Sequence, residues 1–220
     1  MMYAVAMNRD YWIDRWKENR IGFHKAGVNP LLKRFWPRVA AAPGRTLVPL
    51  CGKSDDLAWI ANCGHDVVGV DVSEIAARSF ASEHGLEVTV VENPPFTTLR
   101  SGRITYLVGD FFDLTPTNAG RFDLVYDRAA LIALPEDLRA AYARQLRSLL
   151  APGAQIFLIS LEYDPQQMSG PPHSVPESEV RMLFDGCTIE KLHEVDCLED
   201  EPRFKERGLQ WMKEIVYYIR

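Results

Sequence analysis

The residues with the clearest chemical potential lie in a loop around Gly52 and at an acidic position, Asp71, one strand later. The loop follows an apolar strand predicted at 46–50 and opens a helix. A glycine turn between a strand and a helix lets backbone amides face a ligand. A carboxylate at the tip of the next strand can accept hydrogen bonds from both hydroxyls of a ribose. Leu50, Gly52 and Asp71 are therefore candidate contacts to an adenosine ligand.

The glycine spacing of this loop narrows the class of ligand. The segment VPLCGK at 48–53 lacks the GxGxxG pattern with which dinucleotide folds approach a pyrophosphate. An adenosine ligand without a pyrophosphate fits better, and S-adenosyl-L-methionine is the commonest such ligand. We therefore expect S-adenosyl-L-methionine as the cofactor and a methyltransferase as the class of enzyme.

Two further strand ends carry candidate site residues. Asp110 and Phe111 follow a strand predicted at 104–108, with Phe112 next in the chain, and an acid before two aromatic residues suits an adenine amino group and a ring face. Arg128 follows a strand predicted at 122–126. In an open parallel sheet, ligands bind at the carboxyl ends of the strands, so these residues would converge there.

Each of these charged side chains also has a purely structural explanation. Asp71 lies just before a helix and could be its N-terminal acid. Asp110 could be a turn residue. Arg128 could be a buried partner of Asp127 or Asp123. The sequence leaves both explanations open.

The elements that position these residues alternate between β and α patterns from position 46 onward. Strands are predicted at 46–50, 67–70, 104–108, 122–126, 155–161, 188–195 and 210–219, and helices at 55–62, 74–84, 136–150 and 177–184. This alternation indicates a parallel sheet. The connection at 86–103 is long for an α/β unit, so we expect extra short strands in it. The predicted fold is a single-domain α/β, Rossmann-like methyltransferase fold, with a mostly parallel seven-stranded sheet, an antiparallel last strand and helices on both faces.

The N-terminal part has a different pattern. Residues 1–42 are predicted as a helical lid on a core formed by residues 43–220, within one methyltransferase domain. Asn8 is a candidate cap for a first helix that carries Trp12 and Trp16 four residues apart. The two indoles either belong to the core or face the cationic sulfonium of the cofactor, under a lid that excludes water.

Composition excludes several classes of function. The chain has 220 residues, 47% of them apolar and 25% charged, which suits one globular domain. Its net charge of −5 gives no electrostatic reason to bind nucleic acid. The longest apolar stretches fall short of the roughly 20 residues that span a bilayer. The start has no basic n-region, so we expect no signal peptide and a cytoplasmic location.

Metal and hydrolytic chemistry find no support in the sequence. The four cysteines form no CxxC pair, the five histidines show no metal spacing, and no Ser, His and Asp set is recognisable. We expect no metal site and a small-molecule substrate. Net charge does not decide the oligomeric state, and a monomer is slightly favoured.

The segment NPPF at 93–96 matches a signature that amino-methyltransferases use to hold a planar nitrogen nucleophile. That signature belongs at the end of the fourth strand, whereas here it precedes the third. We interpret it as a proline-rich surface turn.

Blocks along almost the whole chain resemble the thiopurine S-methyltransferase family, bacterial branch. They are YWIDRW at 11–16, IGFH at 21–24, VPLCGK at 48–53, VGVD at 68–71, GDFF at 109–112, YDRAALIAL at 126–134 and MSGPP at 168–172. The PLCGK and YDRAALIAL blocks together are more specific than any lone glycine loop.

The resemblance implies a role for each site residue. Cofactor contacts are implied for the stretch from Trp12 through Trp16 to Phe23, and for Leu50, Asp71, Asp110, Phe111 and Arg128. Phe23 would also border the substrate ring, and relatives place a second substrate-side basic residue in the region of Arg203. This chain departs from the family at position 71, where relatives more often carry Glu, and at His173, where they tend to carry Phe.

The implied reaction is methylation of thiopurines and related aromatic or heterocyclic thiols on sulfur. The sulfur attacks the methyl carbon in line with the departing sulfonium sulfur, from about 3 to 3.5 Å. Arg128 is the candidate catalytic residue, since its guanidinium can stabilise a thiolate or a delocalised ring anion. No general base is obvious, and a thiolate needs little general-base help.

Several other functions stay open on the sequence alone. Bacterial relatives are also linked to methylation of selenium and tellurium compounds, and another small-molecule methyltransferase is a weaker alternative. A nicotinamide-dependent dehydrogenase needs a dinucleotide glycine loop and often a Tyr-x-x-x-Lys pair, neither of which is present. A catalytically silent adenosyl-binding protein would share the same pocket residues.

Overall fold

The computed structural model describes residues 2–220, with side chains described from residue 9 onward. The strands are β1 Arg45–Pro49, β2 Asp66–Asp71, β3 Thr89–Asn93, β4 Phe96–Ser101, β5 Ile104–Val108, β6 Phe122–Arg128, β7 Leu150–Glu162, β8 Ile189–Asp196 and β9 Lys213–Ile219. The helices are α1 Met2–Lys17, α2 Pro30–Val39, α3 Asp56–Asn62, α4 Glu74–Glu83, α5 Pro116–Ala119, α6 Glu136–Ser148, α7 Glu177–Leu183 and α8 Pro202–Glu206. None of the helices described is long and apolar enough to cross a bilayer.

The strands form one sheet in the order β3-β4-β5-β2-β1-β6-β7-β9-β8. Strands β5, β2, β1, β6 and β7 pair in parallel, and β9 inserts antiparallel between β7 and β8. From β1 the chain first builds the sheet outward through β2 and β5, then returns to place β6 on the other side of β1. The switch point, where ligands bind in such sheets, therefore lies between β1 and β6.

The Rossmann-like class and the antiparallel last strand are confirmed, but the sheet has nine strands within the described residues rather than seven. The two additional strands, β3 and β4, form a hairpin inside the long connection at 86–103. Strand β4 pairs antiparallel with β5, so the hairpin extends the same sheet instead of folding apart from it.

Side chains that alternate along the central strands build a core on each face of the sheet. On one face, Val48 and Phe157 pack with apolar residues of α2, α3 and α4. On the other, Leu47 and Leu158 pack with residues of α5, α6 and α7. Strands buried on both faces require helices on both sides, as the sequence predicted.

The start of α1 differs from the expected one, and α2 begins directly after a capping residue. Helix α1 starts at Met2, so Asn8 lies inside the helix and is not its cap. Asn29 caps α2, since its Oδ1 accepts hydrogen bonds from the backbone N–H groups of Leu31 and Leu32 at 2.8 and 3.1 Å. Pro30 opens that helix, where its missing N–H costs nothing.

The NPPF segment forms the turn of the β3–β4 hairpin. Phe96 is buried against Gly109, and a Cβ at position 109 would overlap its ring. The motif thus packs the hairpin onto the loop after β5.

Candidate active site

A cleft of about 610 Å³ opens at the switch point, along the carboxyl ends of β1, β2, β5 and β6. Most of the side chains singled out from the sequence meet there. The cleft is lined by Trp12, Trp16, Phe23, Leu50, Gly52, Asp71, Asp110, Arg128 and Arg203. Phe111 is the exception.

The first wall of the cleft is the loop after β1. Leu50 and Gly52 both have a left-handed backbone, with φ of +47° and +49°. An L residue rarely adopts this conformation, and such strain often marks a functional site. The hydroxyl of Tyr106 donates to the carbonyl of Gly52 at 2.8 Å and fixes the loop from below.

Asp71 holds this loop to the end of β2. One carboxylate oxygen accepts the backbone N–H of Gly52 at 2.9 Å, and the other accepts that of Ser73 at 2.9 Å. The carboxylate is 8% exposed, and burial raises its pKa to about 6, although both hydrogen bonds oppose that shift. Each oxygen keeps a lone pair that can accept a ribose hydroxyl.

The loop after β5 presents Asp110 and Phe112 to the cleft. Asp110 caps the short turn that follows, and its Oδ1 accepts the backbone N–H of Phe112 at 2.9 Å. The ring of Phe111 points the other way, is 1% exposed, and packs 4.9 Å from the ring of Tyr142. The ring of Phe112 therefore lines the cleft and that of Phe111 does not, because the turn at Asp110 directs consecutive rings to opposite sides.

Arg128 lies at the end of β6 and lines the cleft, and its guanidinium forms no hydrogen bond or salt bridge with the residues described. Its charge acts on Glu214, a second side chain of the cleft. Asp127 is fully buried and instead accepts the Tyr142 hydroxyl at 2.6 Å and the backbone N–H of Leu131 at 3.1 Å. Asp123 accepts the backbone N–H of Arg45 at 2.9 Å. Asp127 and Asp123, the two acids that could have paired with Arg128, thus accept hydrogen bonds from other residues. The guanidinium of Arg128 is therefore available to a bound anion.

An aromatic cluster from the N-terminal segment forms the opposite wall. The ring of Phe23 meets those of Trp12 and Trp16 edge to face, with centroids 5.2 and 5.6 Å apart. Trp16 is 6% exposed and lies against Gly52. The two indoles therefore both pack against Phe23 and both border the cleft.

Polar contacts tie the N-terminal segment to the C-terminal part of the chain. The guanidinium of Arg203 donates to the carbonyl of Gly22 and lies 4.5 Å from the centre of the Phe204 ring. Lys25 pairs with Glu201, which also lies 3.3 Å from Arg203. Arg203 thus borders the cleft and anchors the segment at the same time.

Buried Asp56 makes a second set of hydrogen bonds between the N-terminal segment and the rest of the chain, deep in the cleft. One of its oxygens accepts the backbone N–H of Asn29 at 2.7 Å, and the other accepts the hydroxyl of Tyr126 at 2.9 Å. This acid connects the N-terminal segment with α3 and β6.

The arrangement has the chemistry of a site for a nucleoside and an aromatic anion. It offers a carboxylate to hydroxyl groups, aromatic rings to a cation or a ring face, and an unpaired guanidinium to negative charge. Among the side chains from residue 9 onward, no three His, Cys, Asp or Glu residues cluster as a metal site would require.

Comparison with known proteins fits this geometry. A family model described as thiopurine S-methyltransferase matches residues 7–220. The chain belongs to the thiopurine S-methyltransferase family. Among curated relatives, the thiopurine S-methyltransferase of Pseudomonas putida is 45% identical over 214 residues, 97% of this chain and 99% of its own. That of Methylococcus capsulatus is 45% identical over 217 residues, 97% of this chain and 98% of its own.

Solved structures show that the family fold is that of methyltransferases more widely. A Burkholderia thailandensis 1,6-didemethyltoxoflavin-N1-methyltransferase, solved with S-adenosylhomocysteine, aligns with a TM-score of 0.66 at 16% identity, over 97% of this chain and 88% of its own. The magnesium protoporphyrin IX methyltransferase of a Synechocystis aligns with a TM-score of 0.61 at 16% identity, over 97% and 98%.

Some cleft residues of this thiopurine S-methyltransferase family member escaped the sequence reasoning. Phe112 was passed over for its neighbour. Glu214 also lines the cleft; it is the second residue of β9, and the pattern of that strand does not mark it as a site residue. Lys25 lies in a segment with no periodicity to read.

Proposed function

We propose that the chain is an S-adenosyl-L-methionine-dependent S-methyltransferase that methylates thiopurines and related aromatic or heterocyclic thiols. The observation that carries this proposal is that Arg128, whose guanidinium forms no hydrogen bond or salt bridge with the residues described, lines the same switch-point cleft as an aromatic cluster in a member of the thiopurine S-methyltransferase family. An aromatic thiolate has a negative charge, which a guanidinium can stabilise, and a ring, which an aromatic cluster can contact.

The residues on the first two strand ends fit the adenosine part of the cofactor. Asp71 would accept hydrogen bonds from the ribose hydroxyls. The left-handed turn from Leu50 to Gly52 would let the cofactor pass close to the protein backbone. Asp110 would accept a hydrogen bond from the adenine amino group. The ring of Phe112, rather than that of Phe111, would pack against the base. The fit rests on donors and acceptors that face the cleft.

When bound, S-adenosyl-L-methionine supplies an electrophilic methyl group on a sulfonium. Trp12 and Trp16 would stabilise the sulfonium charge with their ring faces. Phe23 would pack against the substrate ring, and Arg203 would border the substrate side. Arg128 would stabilise the thiolate as it attacks, which makes it the catalytic residue.

We further propose that residues 1–42 act as a lid on a core formed by residues 43–220. The edge-to-face rings and the ties through Asp56 and Glu201 hold this segment over the cleft. A closed lid would exclude water from the sulfonium. We also propose a cytoplasmic monomer. The free thiols at Cys51, Cys63, Cys187 and Cys197 suit a reducing compartment.

Two measurements test the proposal. Calorimetry should detect binding of S-adenosyl-L-methionine and none of NAD. Turnover with 6-mercaptopurine should then release one S-adenosylhomocysteine per methylated product. Binding without turnover on any acceptor in a panel of thiols, selenols and tellurite would identify a silent adenosyl-binding protein, whereas turnover on selenium or tellurium acceptors alone would reassign the substrate.

A further inference from the structure

Glu214 is a carboxylate in the cleft that the proposed methyl transfer does not yet use. It lies on β9, where it pairs with Leu161 of β7, and β7 in turn pairs with β6 so that Ile159 stands beside Arg128. Alternation along β9 puts Glu214 on the same face as Val216, which packs with Tyr126 in one core cluster. Glu214 and Arg128 therefore share a sheet face, and both line the cleft.

The groups facing Glu214 come from three elements. They are Arg128 and Tyr126 on β6, Lys25 in the N-terminal segment and Cys197 after β8. Burial raises the pKa of Glu214, and the two cations Arg128 and Lys25 oppose the shift. Burial also raises the pKa of Cys197 to about 12, so that thiol stays protonated and does not compete for a proton at neutral pH.

Three other carboxylates of the cleft already have hydrogen-bond or ion-pair partners. Asp71 and Asp56 each accept two hydrogen bonds, and Glu201 pairs with Lys25 and Arg203. The side chain of Glu214 accepts no hydrogen bond from the residues described, although it is partly buried. A carboxylate without a donor, beside a guanidinium suited to a thiolate, is placed to receive a proton.

We propose that Glu214 is the general base that removes the proton from the acceptor thiol. The proposal rests on the proposed function. The S–H bond breaks and leaves its electron pair on sulfur, while the proton bonds to a carboxylate oxygen of Glu214. The thiolate, held by Arg128, then forms a bond to the methyl carbon as the carbon–sulfonium bond breaks and its electrons return to the departing sulfur. Glu214 releases the proton to water after the product leaves.

The test compares two thiols at neutral pH and saturating cofactor. 4-Nitrothiophenol is largely ionised under these conditions and needs no base, whereas benzyl mercaptan is largely protonated. Glu214→Gln should lower kcat/KM roughly 100-fold or more for benzyl mercaptan, the usual contribution of a general base, but by less than about 3-fold for 4-nitrothiophenol. Glu162→Gln, the same change on neighbouring β7 outside the cleft, should affect neither.

The pH profile separates a base from a residue that only positions Arg128. Because Glu214 must be ionised to accept the proton, kcat/KM for benzyl mercaptan should fall as pH drops through the raised pKa of this group. In Glu214→Gln only the pre-formed thiolate can react, so the limb set by Glu214 should be replaced by one at the much higher pKa of benzyl mercaptan itself. Glu214→Asp should keep the original limb at a lower rate. Unchanged S-adenosylhomocysteine affinity and melting temperature would show that the variants are folded.

Equal losses on both thiols, or an unchanged acid limb in Glu214→Gln, would overturn the proposal and leave the proposed function standing. A wild-type protein that methylates neither these thiols nor 6-mercaptopurine would overturn both. Impaired cofactor binding in Glu214→Gln together with normal behaviour of Glu214→Asp on every thiol and pH would also count against a base.

Discussion

The indole of Trp16 lies 3.1 Å from the position that a Cβ would take on Gly52. This contact joins the N-terminal segment to the loop after β1, so the two walls of the cleft meet at a glycine with φ of +49°. The absence of a side chain at Gly52 therefore permits both the turn and the approach of the lid.

Gly52→Ala should weaken cofactor binding. Gly102 is a matched control, since its φ is +53° and nothing lies within 4 Å of its missing Cβ. Both alanines share a cost of about 1 kcal/mol for an L residue at positive φ. We expect only Gly52→Ala to raise the Kd for S-adenosylhomocysteine, by roughly tenfold or about 1.4 kcal/mol, as measured by calorimetry. Equal affinities in the two variants would show that cofactor binding does not depend on the contact between Trp16 and Gly52.

Cofactor affinity should depend on the ionisation of Asp71. The pKa of this carboxylate is raised to about 6, and only its ionised form accepts hydrogen bonds from both ribose hydroxyls. A proton then competes with the ligand below pH 6, so affinity for S-adenosylhomocysteine should fall about tenfold from pH 7 to pH 5. Asp71→Asn should bind more weakly at pH 7 and lose this pH dependence. A pH dependence that survives in Asp71→Asn belongs to another group.

Arg128 should matter to turnover on thiols. Arg128→Ala removes the unpaired guanidinium and should lower kcat with 6-mercaptopurine by roughly 100-fold. Arg128→Lys keeps the charge without the planar fork and should lie in between. Arg100→Ala on β4, outside the cleft, is the control. Cofactor affinity and turnover both at wild-type levels in Arg128→Ala would refute the role.

The neighbouring rings Phe111 and Phe112 should separate stability from binding. Phe111→Leu changes a ring that is 1% exposed, so it should lower the free energy of unfolding by about 1 kcal/mol and spare cofactor affinity. Phe112→Leu should weaken cofactor binding and leave the free energy of unfolding nearly unchanged. Denaturant titration and calorimetry on both variants distinguish the assignments, and the opposite pattern would return the adenine contact to Phe111.

The ion pairs of Glu201 should hold the lid segment. Glu201→Gln releases Lys25 and weakens the hold on Arg203, so trypsin should cleave native protein after Lys25 about tenfold faster, as expected from a charged hydrogen bond of about 1.5 kcal/mol. Glu199→Gln breaks an exposed pair with Lys205 and should change nothing. Equal cleavage rates in the two variants would mean that other contacts keep the segment closed.

The parts of the site that the sequence predicts are those fixed by local pattern. Asp71 and Arg128 end strands, and parallel strands must bring their carboxyl ends together. The side on which a ring points after a turn depends on the turn itself, which is why Phe111 was chosen over Phe112. The hairpin β3–β4 could be expected as an excursion, but its pairing with β5, which brings Phe96 against Gly109, could not be read from local pattern.

Glu214 was missed for a related reason. Its place beside Arg128 depends on β9 inserting between β7 and β8, and on a register that spans three strands. Sequence patterns give the alternation within a strand, whereas register between distant strands comes from packing of the whole sheet. Local patterns therefore gave no reason to place Glu214 at the site.

The identity of the methylated atom tests the central claim most directly. Wild-type protein is incubated with 6-mercaptopurine and S-adenosyl-L-methionine labelled with carbon-13 in its methyl group, and the product is analysed by NMR. The account predicts a labelled methyl on the exocyclic sulfur, formed in equal amount with S-adenosylhomocysteine. A methyl on a ring nitrogen, or no labelled product while the cofactor binds, would contradict it.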